Sequence, residues 1–472
     1  MIRFFWVALA LSLSNSALAS VSAAEAAQLG QKLTPVGAEK AGGAAAAGVQ
    51  VKPAQKSAMA DDDFLDEQDA PTRVPVWNAP GAEAAVSNEK PLFTINAVNL
   101  NRYRENLTES HFSLLQTNPN TYFLNVYAPR RPVRWPKEIE AATRENATRC
   151  SLQGTDDLSG CRLGFPFPIP HSGAEVIWNH KLRWRGDAVS RYNEQLVVQS
   201  DGKFQVTRLA EDIDARYANI KDGWPLDAEH HEFLRFLSQT LEPPRLAGNF
   251  VLFHDNAGVG TSARTAWALS PKAMRPRREP KICCDNPYEG SDGLQFFDQV
   301  DMYNGALDRY AWKLLGKREV FIPYNADRLN AASAHPADLV RPTHLNQELL
   351  RYELHRVWVV EATLKPGMAH TLRKRRFYVD EDSWSIVAVD MLDTYDQPYQ
   401  FQEGHLLYSS ANQRSTYAAE VIYHLNTGRY FVTGLRGDQP PPPNSGVFPP
   451  GHFEPDSLIK LAAEAGTHAS GR

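Results

Sequence analysis

The sequence predicts a mainly β protein of the α+β class. Its 472 residues include 10 Trp, 17 Tyr and 21 Phe, and many of these stand in the two-residue alternation of strands rather than at helical spacing. Runs of this alternation follow one another through the C-terminal half with short turn sequences between them, which indicates antiparallel pairing. The net charge of -5 argues against a general nucleic-acid binder, which would carry an excess of basic residues.

The chain begins with the pattern of an export signal. Arg3 precedes an apolar run over residues 4–13, and residues 17–19 form a small-x-small cleavage pattern. The apolar run is about half as long as the roughly 20 residues that cross a bilayer. We therefore expect residues 1–19 to be a signal peptide and the protein to be periplasmic in a Gram-negative cell, where it could associate with the outer membrane.

Residues 20–90 are predicted to form an N-terminal arm and linker. A short helix and a turn are expected within residues 21–40. Residues 42–73 are rich in Ala and acidic side chains and poor in large apolar ones, so they can contribute little to a core.

Helical and strand patterns alternate in the central part. Residues 138–148 predict a helix, and residues 175–184 predict a strand. The next two strand-like runs, at 192–199 and 203–209, flank Ser200-Asp201-Gly202 and predict a hairpin.

A second helix is expected before the strand-like run at residues 249–255. Asp227 can cap its start, and Pro243-Pro244 would end it. Its apolar face, the candidate lid over a cavity, consists of Phe233, Leu234, Leu237 and Leu241.

The C-terminal half predicts a meander of strands. They are expected at residues 265–270, 309–324, 349–365, 373–382, 383–393, 399–409, 418–426 and 428–435. In the longest, Tyr352, Leu354, Trp358 and Val360 share one face, because side chains alternate along a strand. Residues 91–438 are thus interpreted as a single β-rich domain, followed by a Pro-rich tail over residues 439–472 with a short helix.

The four cysteines fall into two pairs. Cys150 and Cys161 flank a loop of turn-forming residues, and an oxidising compartment would favour a disulfide between them. Cys283 and Cys284 are adjacent, and the sequence leaves their redox state open. Neither pair has the CxxC spacing typical of zinc sites, so no metal is expected.

No motif singles out catalysis or a cofactor. Residues 258–263 fit GxGxxA, but Pro271 cuts short the helix that a dinucleotide-binding unit needs. Asp298 and Asp301 could pair as acid and base, although roles in turns and hydrogen bonding are the simpler interpretation. Basic runs at residues 272–281 and 373–376 suit either a solvated sheet edge or contact with an anionic headgroup or partner at a cavity rim.

Several long segments resemble the domain of unknown function 1329 family. They lie at residues 33–42, 165–170, 174–186, 243–248, 298–325, 351–370, 375–384 and 417–435. Members are exported proteins of Gram-negative bacteria, similar to the lipoprotein carrier LolA and receptor LolB. The resemblance implies a large, curved antiparallel sheet, an incomplete β-barrel, whose concave side holds acyl chains under a few covering helices. It brings no catalytic residues.

Pattern and resemblance together predict a non-enzymatic periplasmic carrier or receptor for a lipid or other hydrophobic ligand, without a cofactor. The candidate cavity wall consists of Trp178, Trp184, Tyr352, Leu354, Trp358 and Val360. One alternative is a non-catalytic accessory protein that binds an envelope transporter or outer-membrane protein. Another is a lipid or glycan hydrolase that uses Asp298 or Asp301.

Overall fold

The computed structural model describes residues 21–40, 89–438 except 228, 259, 272, 333 and 334, and 448–469. Its helices are α1 (Ala23–Ala26), α2 (Glu109–Thr117), α3 (Lys137–Arg149), α4 (Gly173–Lys181), α5 (Asp327–Ala332), α6 (Pro336–Leu339) and α7 (Ser457–Ala469). Its strands are β1 (Phe93–Ile95), β2 (Leu124–Tyr127), β3 (Ser151–Gln153), β4 (Asp157–Ser159), β5 (Ala188–Val198), β6 (Phe204–Asp214), β7 (Glu232–Glu242), β8 (Phe250–Asn256), β9 (Arg264–Leu269), β10 (Arg277–Arg278), β11 (Tyr310–Pro323), β12 (Tyr352–Leu364), β13 (Lys374–Asp380), β14 (Ile386–Leu392), β15 (Pro398–Ser409), β16 (Arg414–His424) and β17 (Tyr430–Leu435).

One sheet of fifteen strands dominates the described part of the chain. Its order is β1-β2-β12-β13-β14-β15-β16-β17-β5-β6-β7-β8-β9-β10, with β11 paired to β12. Neighbours pair antiparallel, except that the start of β12 runs parallel to β2. No pairing joins β10 back to β1 or β11 among the described residues, so the sheet is open. The predicted mainly β fold, with a large unclosed sheet and a few helices, is confirmed.

Helix α4 packs against one face of this sheet, which we call the inner face. Gly173 permits the close approach, because a Cβ atom there would stand 2.8 Å from Val360 Cγ1 and 3.1 Å from the backbone of Lys313. The packing brings the C-terminal end of α4 towards β7, where Lys181 Nζ lies 5.5 Å from the centre of the Phe233 ring.

The segment at residues 175–184, predicted to be a strand, is mainly helix α4. The Ser172 side chain accepts a hydrogen bond from the backbone N–H of Glu175, and the Glu175 carboxylate accepts one from the N–H of His171. This is close to the Ser-x-x-Glu capping pattern that precedes an apolar helix, a signal that outweighs the aromatic alternation after it.

The predicted lid helix is strand β7. It pairs with β6 on one side and β8 on the other, with Phe236 opposite Phe253 and Leu237 opposite Leu252. Apolar side chains occupy both of its faces because both are covered, and two-sided burial produces a spacing that resembles a helical one.

The outer face of β7–β9 is covered by the end of the chain. Leu237, Leu252 and Leu269 form a buried cluster with Phe453 and Leu458, the latter on α7. His254 Nε2 also lies 2.8 Å from the carbonyl oxygen of Phe453. The C-terminal helix expected from the sequence is therefore present, and it acts as an outer cover.

Residues 21–40 lie across the body of the protein. The Trp384 indole N–H donates to the carbonyl oxygen of Val36 at 2.9 Å, and Arg131 donates to that of Glu39 at 2.9 Å. Residues 1–20, which include the predicted signal peptide, and residues 41–88 lie outside the described residues. Among the described residues no helix is both long and apolar enough to cross a bilayer.

Cys150 and Cys161 form the predicted disulfide, which closes the β3–β4 hairpin at the end of α3. That helix, Lys137–Arg149, also matches the expectation for residues 138–148. Cys283 and Cys284 are free thiols with their sulfur atoms 2.7 Å apart.

Candidate ligand-binding site

Two adjoining cavities lie on the inner face of the sheet, between the β5–β9 region and the chain that follows Asp298. The first has a volume of about 330 Å³ and the second about 500 Å³. Lys181, Phe233 and Tyr303 line both. Both volumes fall within the range of roughly 300 to 1,000 Å³ that is usual for small-molecule sites.

The apolar wall of the first cavity comes mainly from β7 and β8. Leu234 and Phe236 share one face of β7 because side chains alternate along a strand, and Phe233 joins them at a bulge between β7 and β8. Phe253 stacks on Phe236 with ring centres 4.7 Å apart. All four side chains are buried, and Leu237 points to the outer face instead.

Five arginines line the same cavity, and we call them the arginine cluster: Arg183, Arg185, Arg191, Arg414 and Arg436. Arg183 and Arg185 both donate to the Asp301 carboxylate, so two cations share one anion. Arg191 pairs with Glu211 at 2.6 Å.

The two remaining arginines of the cluster lack such partners. Within the described part of the chain, no carboxylate lies within 4.0 Å of the guanidinium of Arg414 or Arg436. Arg414 is half-buried close to Gly186, where a Cβ atom would be 3.6 Å from Nη1. Burial, and then the charge of Arg191, lower the pKa of Arg414. The cavity therefore carries a positive charge that its own carboxylates do not balance.

A buried carboxyl group, that of Glu420, lines the first cavity together with the arginine cluster. Its Oε2 accepts a hydrogen bond from the backbone N–H of Met302 at 2.9 Å. Burial and the charge of Asp301 raise the pKa of Glu420 to about 8, so it is mostly protonated at neutral pH. Burial alone would raise the pKa of Asp301 as well, but the charges of Arg183 and Arg185 hold it far below the usual range.

The second cavity is lined by polar and sulfur-bearing groups. Asp298 accepts hydrogen bonds from Arg375 at 2.6 Å and from His370 at 3.0 Å. Cys283 and Cys284 face the same space, near Arg309. Arg375, in the second basic run, is thus a buried partner of Asp298 rather than a cation at a cavity rim.

The candidate wall predicted from the sequence does not line these two cavities. Trp178, Trp184, Tyr352, Leu354 and Val360 are buried in the core, and Trp358 is half-buried. Two of their polar groups form internal hydrogen bonds: the Trp178 N–H donates to the carbonyl oxygen of Thr155, and the Tyr352 hydroxyl donates to Glu403.

Only two of the four residues of the predicted lid lie at the cavity. Phe233 and Leu234 line the first cavity, whereas Leu237 and Leu241 do not. As members of strand β7, Phe233 and Leu234 form part of the wall and not a mobile cover. Their role in binding a ligand stays a prediction.

Sequence reasoning missed the arginine cluster. Arg183 and Arg185 directly follow α4, in the run Leu182-Arg183-Trp184-Arg185-Gly186, while Arg414 begins β16 more than two hundred residues later. The closeness of Arg183 and Arg185 could be read from the sequence. Their closeness to Arg414 could not, because it depends on the order of β16, β17 and β5 in the sheet.

Asp298 and Asp301 have poor properties for acid–base catalysis. Opposing burial, the charges of Arg375 and His370 lower the pKa of Asp298 to about 2. A general acid needs a pKa near the working pH, and a carboxylate held in ion pairs is a weak base. Their geometry instead serves to hold the chain around residues 298–305 against the sheet.

One buried group could suggest a metal site. Ligand atoms of His355, Asp380 and Asp382 lie within 4.8 Å of one another. Both Asp382 oxygens accept hydrogen bonds from Arg131 at 2.6 Å, and Asp380 accepts them from the backbone and side chain of Ser383. These contacts fix the turn between β13 and β14, and we interpret the group as a structural network.

Comparison with known proteins identifies the family. The model of the family described as "Protein of unknown function (DUF1329)" matches residues 94–458. This chain belongs to that family. An uncharacterized protein of Pseudomonas aeruginosa is 38% identical over 445 residues, covering 91% of this chain and 92% of the relative.

Two solved structures show distant likeness. A DUF1329 family protein from Desulfovibrio piger is 14% identical with a TM-score of 0.38, covering 59% of this chain and 93% of that one. A LolA superfamily protein from Nitrosomonas europaea is 11% identical with a TM-score of 0.35, covering 61% of this chain and 99% of that one. The family assignment rests on the family model and on the Pseudomonas relative.

Proposed function

We propose that this protein is a non-enzymatic carrier or receptor, exported to the periplasm, that binds a hydrophobic ligand in the first cavity. The observation that carries the proposal is that Phe233, Leu234, Phe236 and Phe253, which belong to the buried core, also line the first cavity as a continuous apolar wall. A ligand there would gain roughly 25 cal/mol for each Å² of apolar surface removed from water.

The position of the cavity also supports binding. Its wall belongs to β7 and β8, whose outer face packs against Phe453 and Leu458 near the end of the chain, while their inner face lines the cavity. The two candidate carboxylates do not favour a hydrolase, because both are held in ion pairs. Asp298 pairs with Arg375 and His370, and Asp301 pairs with Arg183 and Arg185.

Native mass spectrometry of protein purified from the periplasm without detergent tests the proposal. We expect a bound amphiphile that solvent extraction releases, and uptake of a fluorescent fatty acid by the stripped protein. A folded protein with no bound mass and no uptake of the fatty acid would contradict it.

Strand β7 offers a matched pair of variants for this assay. Leu234→Ala changes the wall of the cavity, whereas Leu237→Ala makes the same chemical change three residues later on the outer face. Both should cost stability, since both side chains are buried. Only L234A should weaken uptake of the fatty acid, and equal uptake by the two variants would place the ligand elsewhere.

A further inference from the structure

The apolar side chains and the arginines that line the first cavity differ in their exposure to solvent. Phe233, Leu234, Phe236 and Phe253 have between 5% and 8% of their surface exposed. Among the arginines, Arg183 is buried, the side chains of Arg185 and Arg191 are 22% and 43% exposed, and Arg436 is exposed. The apolar wall is therefore buried, and the guanidinium groups of Arg185, Arg191 and Arg436 lie nearer to water.

The arginine cluster has fewer anions than cations. Asp301 is shared by Arg183 and Arg185, Glu211 is taken by Arg191, and Glu420 is mostly protonated. Arg414 and Arg436 add two charges without a carboxylate partner among the described residues. Gathering like charges in a partly buried space is unfavourable unless an anion joins them.

Guanidinium groups favour a particular kind of anion. Their planar donors match the two oxygens of a carboxylate or a phosphate, and such bonds are stronger than those between neutral groups. The neighbouring wall would take an alkyl or acyl chain, and about 330 Å³ suits one chain better than the several chains of a larger lipid.

We propose that the arginine cluster, in which Arg414 and Arg436 have no carboxylate partner among the described residues, binds the oxyanion head of a single-chain amphiphile whose chain lies against Phe233, Leu234, Phe236 and Phe253. The head is a carboxylate or a phosphate. This inference rests on the proposed function, since it names the class of ligand that the same cavity takes.

Titration calorimetry with four compounds separates the contributions of head and chain. The purified, solvent-stripped protein is titrated with dodecanoate, dodecyl phosphate, dodecan-1-ol and inorganic phosphate. We expect the two anionic amphiphiles to bind at least about tenfold more tightly than the alcohol, because only they form charge-assisted hydrogen bonds with the arginines. The tighter of the two identifies the head as carboxylate or phosphate.

Three variants test whether the arginine cluster causes this difference in affinity. Arg414→Gln and Arg436→Gln each remove a positive charge without leaving a described carboxylate unpaired, and each should narrow the difference in affinity between dodecanoate and dodecan-1-ol. Arg162→Gln makes the same change at an exposed arginine outside both cavities and should leave the difference unchanged. Binding of dodecan-1-ol should be the same in all three, which also shows that each variant is folded.

The outcomes distinguish the two proposals. If the alcohol binds as tightly as dodecanoate and R414Q and R436Q change nothing, the head-group inference is overturned while the proposed function stands. If no twelve-carbon compound binds, the proposed function itself is overturned. If inorganic phosphate binds as tightly as dodecyl phosphate, and R414Q weakens both, the cluster is a site for free anions and the amphiphile inference is wrong.

Discussion

Replacing Arg375 by Met should destabilise the protein by about 3 kcal/mol, because it breaks a buried ion pair. Arg375 and Asp298 are 1% and 4% exposed in their side chains and lie 2.6 Å apart. Removing one member of such a pair costs about 3 to 5 kcal/mol. The lower figure applies here because His370 Nε2 still lies 3.0 Å from the same Asp298 oxygen.

The pH dependence gives an independent measure of the same interaction. Lowering the pKa of Asp298 from its usual 3.8 to about 2 corresponds to about 2 kcal/mol of stability. Because the pKa is lower in the folded state, this stability is present above pH 4 and is lost as the pH falls towards 2. Without Arg375, burial would raise the pKa instead, and R375M should lose less stability on acidification than the wild type.

Urea unfolding followed by tryptophan fluorescence between pH 2 and 7 measures both effects. Arg373→Met is the control, since Arg373 lies two residues away in an exposed pair with Asp396 and should cost no more than about 1 kcal/mol. The double variant Asp298→Asn with R375M should recover part of the loss, because no buried carboxylate is left unpaired. An R375M protein within 1 kcal/mol of the wild type at pH 7 would refute the reasoning.

Three further predictions concern the other buried groups and the cysteines. Replacing both Cys150 and Cys161 by Ala should cost about 3 kcal/mol in urea unfolding, given a sequence separation of 11; an unchanged midpoint would show that the disulfide does not restrain the unfolded chain. Glu420→Gln should lessen the fall in stability between about pH 5 and 8, because a carboxyl group whose pKa is higher in the folded state costs stability as it ionises; parallel pH profiles would contradict this. The hydrogen bond from Cys284 lowers the pKa of Cys283 to about 7, so alkylation of Cys283 should have its midpoint near pH 7 and shift upward in Cys284→Ala, which removes the donor, whereas no labelling in either protein would exclude a free thiol at Cys283.

The strands of the C-terminal half could be predicted because their signals are local. Each apolar run is bounded by turn residues, and the chain Lys365-Pro366-Gly367 does connect β12 towards β13 as expected. The disulfide was predictable for the same reason, since Cys150 and Cys161 belong to one short hairpin.

The faces of β12 could not be predicted so well. The alternation of Tyr352 and Leu354 with Glu353 and His355 places apolar side chains on one face and polar side chains on the other, but it does not show what covers either face. In the structure all four residues are buried, and Glu353 accepts hydrogen bonds from Arg351 and His355 inside the protein. Alternation shows which side chains share a face, but only the tertiary structure decides what covers each face.

The two segments whose secondary structure was assigned wrongly, α4 and β7, both contribute to the cavity, α4 through its last residue, Lys181. β7 carries apolar residues on both faces, because one face meets α7 and the other meets the open cavity. A strand whose inner side chains simply filled a core would need no guanidinium groups beside them, yet Arg183 and Arg185, which follow the end of α4, line the cavity at this point. The local sequence pattern and the tertiary structure thus disagree at the place where the apolar wall meets the arginine cluster. A binding site at this place would require residues that folding alone does not require.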